Sequence, residues 1–239
     1  MITDIVLLIF IVCIASILQT STGYGFSIIG TPFLFMLYPA HTAIQINIIL
    51  SIFLSIFMIR NIRNEIDRDL LKQLIRGSFG GLIIGIFIYM YVQIQYLKIG
   101  VGIIVLLLTM LLIFQYTVAR SRKRDLLAGG VSGMLTTSIG VPGPPLLLYF
   151  SGVNMDKTTL RSTTLAYYLF VYAASLIMQI AFGGTNIDIW MYALISLPAL
   201  FLGVFLGKLL FQWISQAIFL LITYTILIFT GIYLIVTSM

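Results

Sequence analysis

Two short stretches gather hydroxyls and glycines in one place, "QTSTGYG" at 19–25 and "TTSIGVPG" at 136–143. Thr20, Ser21, Thr22, Gly23, Tyr24 and Gly25 in the first, and Thr137, Ser138, Gly140, Val141 and Gly143 in the second, offer hydroxyl donors and uncrowded backbone N–H groups, the chemistry that suits an oxyanion. The alternative use of the same hydroxyls is to satisfy carbonyls freed where a helix breaks. Arg161 adds a guanidinium able to hold an oxyanion through two parallel bonds, or else a charge that sets topology beside Lys157. Asn47 either faces the anion or caps the neighbouring break. Gln45 and Asn47 match Arg161 and Thr163 after a small gap.

Catalytic groups are missing from this inventory. One histidine, His41, stands without a carboxylate or cysteine neighbour and reads as an interfacial side chain. Cys13 is the single cysteine, so no intramolecular disulfide or thiolate metal cluster is available. Asp4 and Asp188 fall near predicted outer ends of apolar segments, and the other carboxylates lie in the loops at the opposite side. No nucleophile with a base, paired buried acid or ligand set results, so neither an enzyme nor a bound cofactor or metal is expected. A proton relay of buried carboxylates is not expected either.

The elements that position the two stretches follow from composition. Of 239 residues, 61% are hydrophobic and 8% charged. With a mean hydropathy of +1.14, the chain lies outside the soluble globular range and reads as an integral membrane bundle. Runs such as Thr42 to Met58, Leu74 to Tyr91, Ile99 to Val118, Ser162 to Phe182, Ile189 to Leu206 and Ile214 to Val236 are long enough to span as helix. Only Asn61 to Arg76 leaves room for an interfacial helix. The first segment opens with Asp4 instead of a basic region and shows no convincing cleavage site, so it is read as retained.

Both hydroxyl-rich stretches interrupt such runs, and Gly and Pro in "GVPGPP" cannot continue a helix. The surroundings repeat. Each half opens with an acidic residue and a short apolar helix, breaks, resumes as a second short piece and enters a polar-faced long helix. A glycine-spaced span follows (Gly77, Gly81, Gly85; later Gly203, Gly207), then a plainer one. The glycine spacing predicts close helix contact. Trp190, Trp213 and most tyrosines read as packing or interface anchors.

The net charge of +6 lies in short loops beside spans, so it reports orientation and not a nucleic-acid partner. If each broken segment is a hairpin that returns to its own side, nearly all Lys and Arg fall inside and Lys98 alone outside. Full crossings would put Lys157 and Arg161 on the wrong side of the bias. The expected fold is therefore an all-α membrane bundle of two inverted repeats, each a re-entrant or broken hairpin followed by three spans. Residues 1–118 form the first repeat (hairpin 4–38, spans 41–60, 73–91 and 96–118), 119–125 a basic cytoplasmic linker and 126–239 the second (hairpin 126–152, spans 158–182, 189–208 and 213–237). Secondary transporters built this way bring discontinuous helices together around the substrate near the midplane, with resumed helices aiming positive dipole ends inward. The basic loops are also placed to touch anionic membrane lipid.

The paired motifs "GYGFSIIGTPFLF" and "GVPGPPLLLYFSG", the first followed by "AIQINIILS", resemble the TauE/SafE family of sulfite and organosulfonate exporters over nearly the whole chain. The resemblance implies export of a small sulfur-containing anion of the sulfite, thiosulfate or sulfoacetate class from a bacterial cytoplasmic membrane. The second motif departs from the family pattern where "PGPP" removes backbone donors at Pro142, Pro144 and Pro145. An anion channel, or a non-transporting membrane subunit or assembly factor, stands as the alternative. Membrane potential, negative inside, assists export of a monoanion by roughly 2.3 kcal/mol per 100 mV.

Overall fold

The computed structural model describes all residues except 1, 23–24, 60–64, 115–119, 152–156, 212–215 and 239. Among the described residues the chain is helical throughout: α1 (Ile2–Thr22), α2 (Phe26–Leu37), α3 (Ala40–Ile59), α4 (Arg68–Tyr91), α5 (Ile94–Ile113), α6 (Arg122–Ile139), α7 (Gly143–Ser151), α8 (Lys157–Gly183), α9 (Ile187–Phe211) and α10 (Gln216–Val236). Five of them, α1, α3, α4, α8 and α9, are long and apolar enough to cross a membrane. Large apolar side chains such as Phe10, Phe79, Phe87, Leu194 and Phe205 point outward, while Ser16, Gln19, Asn47, Thr137 and Gln179 are buried. That inversion of the soluble pattern fits a lipid surround.

Local chemistry sets the ends. Asp67 caps α4 by accepting the Leu70 N–H (2.9 Å), and Ser121 caps α6. The stretch after 64 that left room for an interfacial helix instead feeds directly into α4, and the end of the basic 119–125 run is the first turn of α6. Gly184, at φ 75°, ends α8. Within α2, Pro32 has no N–H for the Ile28 carbonyl four residues back. The Thr230 hydroxyl of α10 donates to that carbonyl instead, at 3.4 Å.

Glycines fix how the helices lie. A methyl group at Gly77, Gly81 or Gly85 of α4 would collide with the backbone carbonyl of Leu126, Gly130 or Met134 of α6. Both helices advance by four residues in the same order, so they run parallel. On α9, a methyl at Gly203 or Gly207 would come within 2.5 Å of the Cys13 carbonyl oxygen or 2.7 Å of the Ile17 one on α1. That pair is parallel too. The Asp67 N–H donates to Thr163 Oγ1 at the start of α8, and Gly183 packs on Tyr89 at its other end, so α8 runs with α4. At the end where α8 stops, Gln45 of α3 donates to the Gly184 carbonyl at 2.8 Å. Near the opposite end of α3, the Thr20 hydroxyl lies 3.8 Å from Met58 Sδ.

The packing partners pair off. α4 lies on α6 as α9 lies on α1, α5 lies on α10, α3 on α8, and α2 on α10 as α7 on α5. Arg68, Arg120, Arg161 and Lys208 share one end of this bundle, because Asp67, Thr20, Met58 and Gly207 tie their elements together there. Lys98, in the second turn of α5, lies at the other end.

Candidate functional site

The first break ends α1 near the basic end. Thr20 places its hydroxyl against Met58. Its carbonyl, left without a helical partner by the break, accepts from Arg161 Nη2 at 2.8 Å. Ser21 Oγ donates to the Ile17 carbonyl at 2.8 Å and lies 3.1 Å from that of Gly207. Gly25 takes φ 122°, a conformation open to glycine, and begins α2. The first N–H of that helix, on Phe26, donates to Gln19 Oε1 at 3.0 Å, so this positive helix end already holds a side-chain acceptor. Gly23, Tyr24 and the side chain of Thr22 lie outside the described residues.

The second break is closed by its own backbone. Gly140 adopts the left-handed conformation (φ 76°), its N–H reaching the Thr136 carbonyl at 2.7 Å and the Val141 N–H that of Leu135 at 3.3 Å. This is the Schellman closure that glycine after a helix permits. Ser138 and Thr137 donate to the Met134 and Gly133 carbonyls, and Thr137 Oγ1 also lies 2.8 Å from Ser175 Oγ. Ser132 reaches forward to the Pro142 carbonyl at 2.9 Å. The first turn of α7 offers the Gly143 N–H but none from Pro144 or Pro145.

One helix holds both breaks. α8 donates from Arg161 to the Thr20 carbonyl and from Gln179 to the Thr137 carbonyl (2.7 Å). Those two positions lie about 27 Å apart along its axis. The expectation that the hydroxyl-rich tips meet at the midplane is therefore corrected: the first helices overrun the centre from opposite ends. What meets in the middle is the start of α2 and of α7, where a methyl on Gly143 would come within 3.0 Å of Ile28 and 3.2 Å of the Tyr168 hydroxyl. Asn47 spans the gap from the other side, with Nδ2 donating to the Gly140 carbonyl at 2.9 Å. Because a carbonyl must face the NH₂ group, Oδ1 is turned toward Gly30 and makes no hydrogen bond among the described residues.

Spacing in the sequence did not reveal the parts played by Gln19, Gln179 and Ser175. Each is a polar residue inside an apolar helix, a signal present in the sequence and overshadowed by the clustered hydroxyls. Most tyrosines read from the sequence as packing or interface anchors, and Tyr167, Tyr168 and Tyr172 are buried. Tyr167 of that group also donates to the Gly129 carbonyl at 3.0 Å.

Charge gathers at the basic end. Arg120 bonds Asp67 at 2.8 Å and lies 3.8 Å from Asp125, which accepts a 2.5 Å bond from the Tyr149 hydroxyl. Burial alone would raise the Asp67 carboxyl. The Leu70 and Asp69 N–H groups and the Arg120 guanidinium outweigh it and hold the carboxyl below its ordinary value. Among the described residues no cluster of His, Cys, Asp or Glu has the makings of a metal site. Among the described residues the arrangement brings donors to carbonyls in an apolar bundle with one cationic end.

Across residues 8–234 the chain matches the family model described as sulfite exporter TauE/SafE. Neither the comparison with curated proteins nor that with solved structures gives a match.

Proposed function

The chain belongs to the sulfite exporter TauE/SafE family, a family of membrane transporters, and from that premise we propose that it exports a small sulfur-containing anion by alternating access. The anion class is that of sulfite, thiosulfate and organosulfonates, and the membrane is the bacterial cytoplasmic one, crossed several times. We read each broken segment as a hairpin returning to the end it came from, and the two halves as inverted repeats. Supporting this is the direction of the helices: α6 and α8 both start at the α4 start, and α1 starts with α9, so residues between them have to turn back. The basic end is cytoplasmic by the positive-inside bias.

The observation that carries the site is Arg161. A guanidinium that is half buried and has one nitrogen on the Thr20 carbonyl is held in a fixed pose beside the first break. Its planar fork suits the tetrahedral or pyramidal oxygens of a sulfur anion entering from the basic end. Thr20, Ser21, Thr22, Gly23, Tyr24 and Gly25 form the loading station with it. Asn47, Thr137, Ser138, Gly140, Val141 and Gly143 form a second station toward the other end. The hydroxyls now on carbonyls exchange partners when the breaks move, so each can serve in one state and close the path in the other.

Flux from proteoliposomes loaded in turn with sulfite, thiosulfate, sulfoacetate, taurine and sulfate, with and without an imposed potential, tests the reading. One sulfur anion should leave, faster when the potential is negative inside. Absence of flux for all five from folded protein would remove it. Rates far above carrier turnover with no counterflow would favour a channel.

A further inference from the structure

The helices α3 and α8 pack along each other in opposite directions, and each begins by gripping the chain that follows the other. At the end where α8 stops, Gln45, in the second turn of α3, donates from Nε2 to the Gly184 carbonyl at 2.8 Å and to the Tyr89 hydroxyl at 3.3 Å. At the basic end the roles are exchanged. Ser162, in the second turn of α8, donates to the Glu65 carbonyl at 2.7 Å, and Thr163 accepts the Asp67 N–H at 3.0 Å. Each grip falls just ahead of a capped helix: Asp67 accepts the Leu70 N–H to start α4, and Asn186 accepts the Ile189 N–H at 2.9 Å to start α9. The gripping side chains Gln45, Ser162 and Thr163 are all buried.

We propose that these two sets of bonds are the latches of alternating access, one for each face, and that both are closed in this structure. The proposal rests on the alternating-access reading above, which it deepens by naming the bonds that part at each face. Tilting one packed helix against the other widens the gap at one end and presses the opposite end together, so one latch opens as the other tightens. Their place suits the task. A bond near a rim exchanges for water when it parts, whereas a polar group freed at mid-height would meet only apolar neighbours. Gln45 Oε1 makes no hydrogen bond among the described residues, so the amide has an acceptor ready for water when it lets go. The latches differ in strength. One amide makes both bonds of the Gln45 latch, while the other latch draws on two residues and on the Asp67–Arg120 pair.

The test is hydrogen–deuterium exchange of the full chain in lipid nanodiscs with no anion added, read at residues 184–189 for one end and 65–72 for the other. Gln45→Leu should speed exchange about fivefold at 184–189 and slow it about twofold at 65–72. Ser162→Ala combined with Thr163→Val should do the reverse. Tyr89→Phe, which removes only the longer bond, should move both ends in the same directions as Gln45→Leu by a smaller factor, and it carries the test if Gln45→Leu does not fold. Faster exchange at the altered end with the other end unchanged, or faster exchange at both, reduces the latches to local fastenings and overturns the proposal. No change at either end overturns it too. Because no anion enters this measurement, reciprocal exchange beside absent flux would remove export and keep the latches, and flux without reciprocity would do the opposite.

Discussion

The α4/α6 contact and the α9/α1 contact are laid out alike, yet they are built to different tolerances. On α4/α6 both partners contribute glycine, with Gly129, Gly130 and Gly133 answering Gly77, Gly81 and Gly85, so backbone lies on backbone. On α9/α1 only α9 does so, and α1 answers with Cys13, Ser16, Ile17 and Thr20. The helix ends differ in the same sense. α6 is closed by backbone bonds around Gly140, whereas the α1 end depends on two long side chains, Gln19 and Arg161. Small residues permit close approach and many weak contacts. One half of the molecule is thus fastened through its main chain, and the other through groups that can let go.

The largest test of that contrast is a methyl group. Gly81→Ala should cost about 3 kcal/mol or prevent folding, since its methyl would overlap the Gly130 carbonyl and the Met134 N–H, all main chain. A methyl at Gly203 overlaps the Cys13 carbonyl and the Ser16 side chain less deeply, so Gly203→Ala should cost about 1 kcal/mol, both read from thermal unfolding in detergent. Equal losses would break the comparison. Next comes Arg161. With Lys the charge stays and the fork goes, so Arg161→Lys should raise the half-saturating concentration for efflux severalfold and Arg161→Gln about tenfold. Gln179→Leu should lower thermal stability and leave that concentration nearly unchanged. A normal Arg161→Gln transporter would reduce the residue to a carbonyl anchor.

The smallest effect is the Asp67–Arg120 pair. Its folded carboxyl titrates below the unfolded one, so the stabilisation is present above the unfolded value near 3.9 and is lost as pH falls through the folded one. The Arg120 side chain is 36% exposed, which limits the gain to under about 1 kcal/mol. Asp67→Asn should lower thermal stability slightly at neutral pH, by under about 1 kcal/mol, and flatten its acid dependence, the two chains converging as pH falls through the folded carboxyl's range.

Much of this was readable in the residues. The breaks at Gly25 and Gly140, the glycine-spaced contacts and the gathering of Arg68, Arg120, Arg161 and Lys208 at one end all follow from backbone freedom, side-chain size and charge, which are local properties. How far each first helix penetrates was not, because the depth of Thr20 and Thr137 is set by where Arg161 and Gln179 sit on α8, a long-range register. The hydroxyls illustrate the same limit. Ser21 and Ser138 look alike as donors to a ligand or to a carbonyl four residues back, and only packing shows that they make the second kind of bond here. The Pro32 gap is legible as a missing N–H, but its neighbour Thr230 is distant in sequence.

Arg161 and Gln179 ride on one unbroken rod. A slide or twist of α8 along its axis therefore acts on the Thr20 and Thr137 carbonyls in the same stroke, one at each rim of the bundle. Any such movement would reach both carbonyls without a chain of intermediaries, because both donors are carried by the same helix.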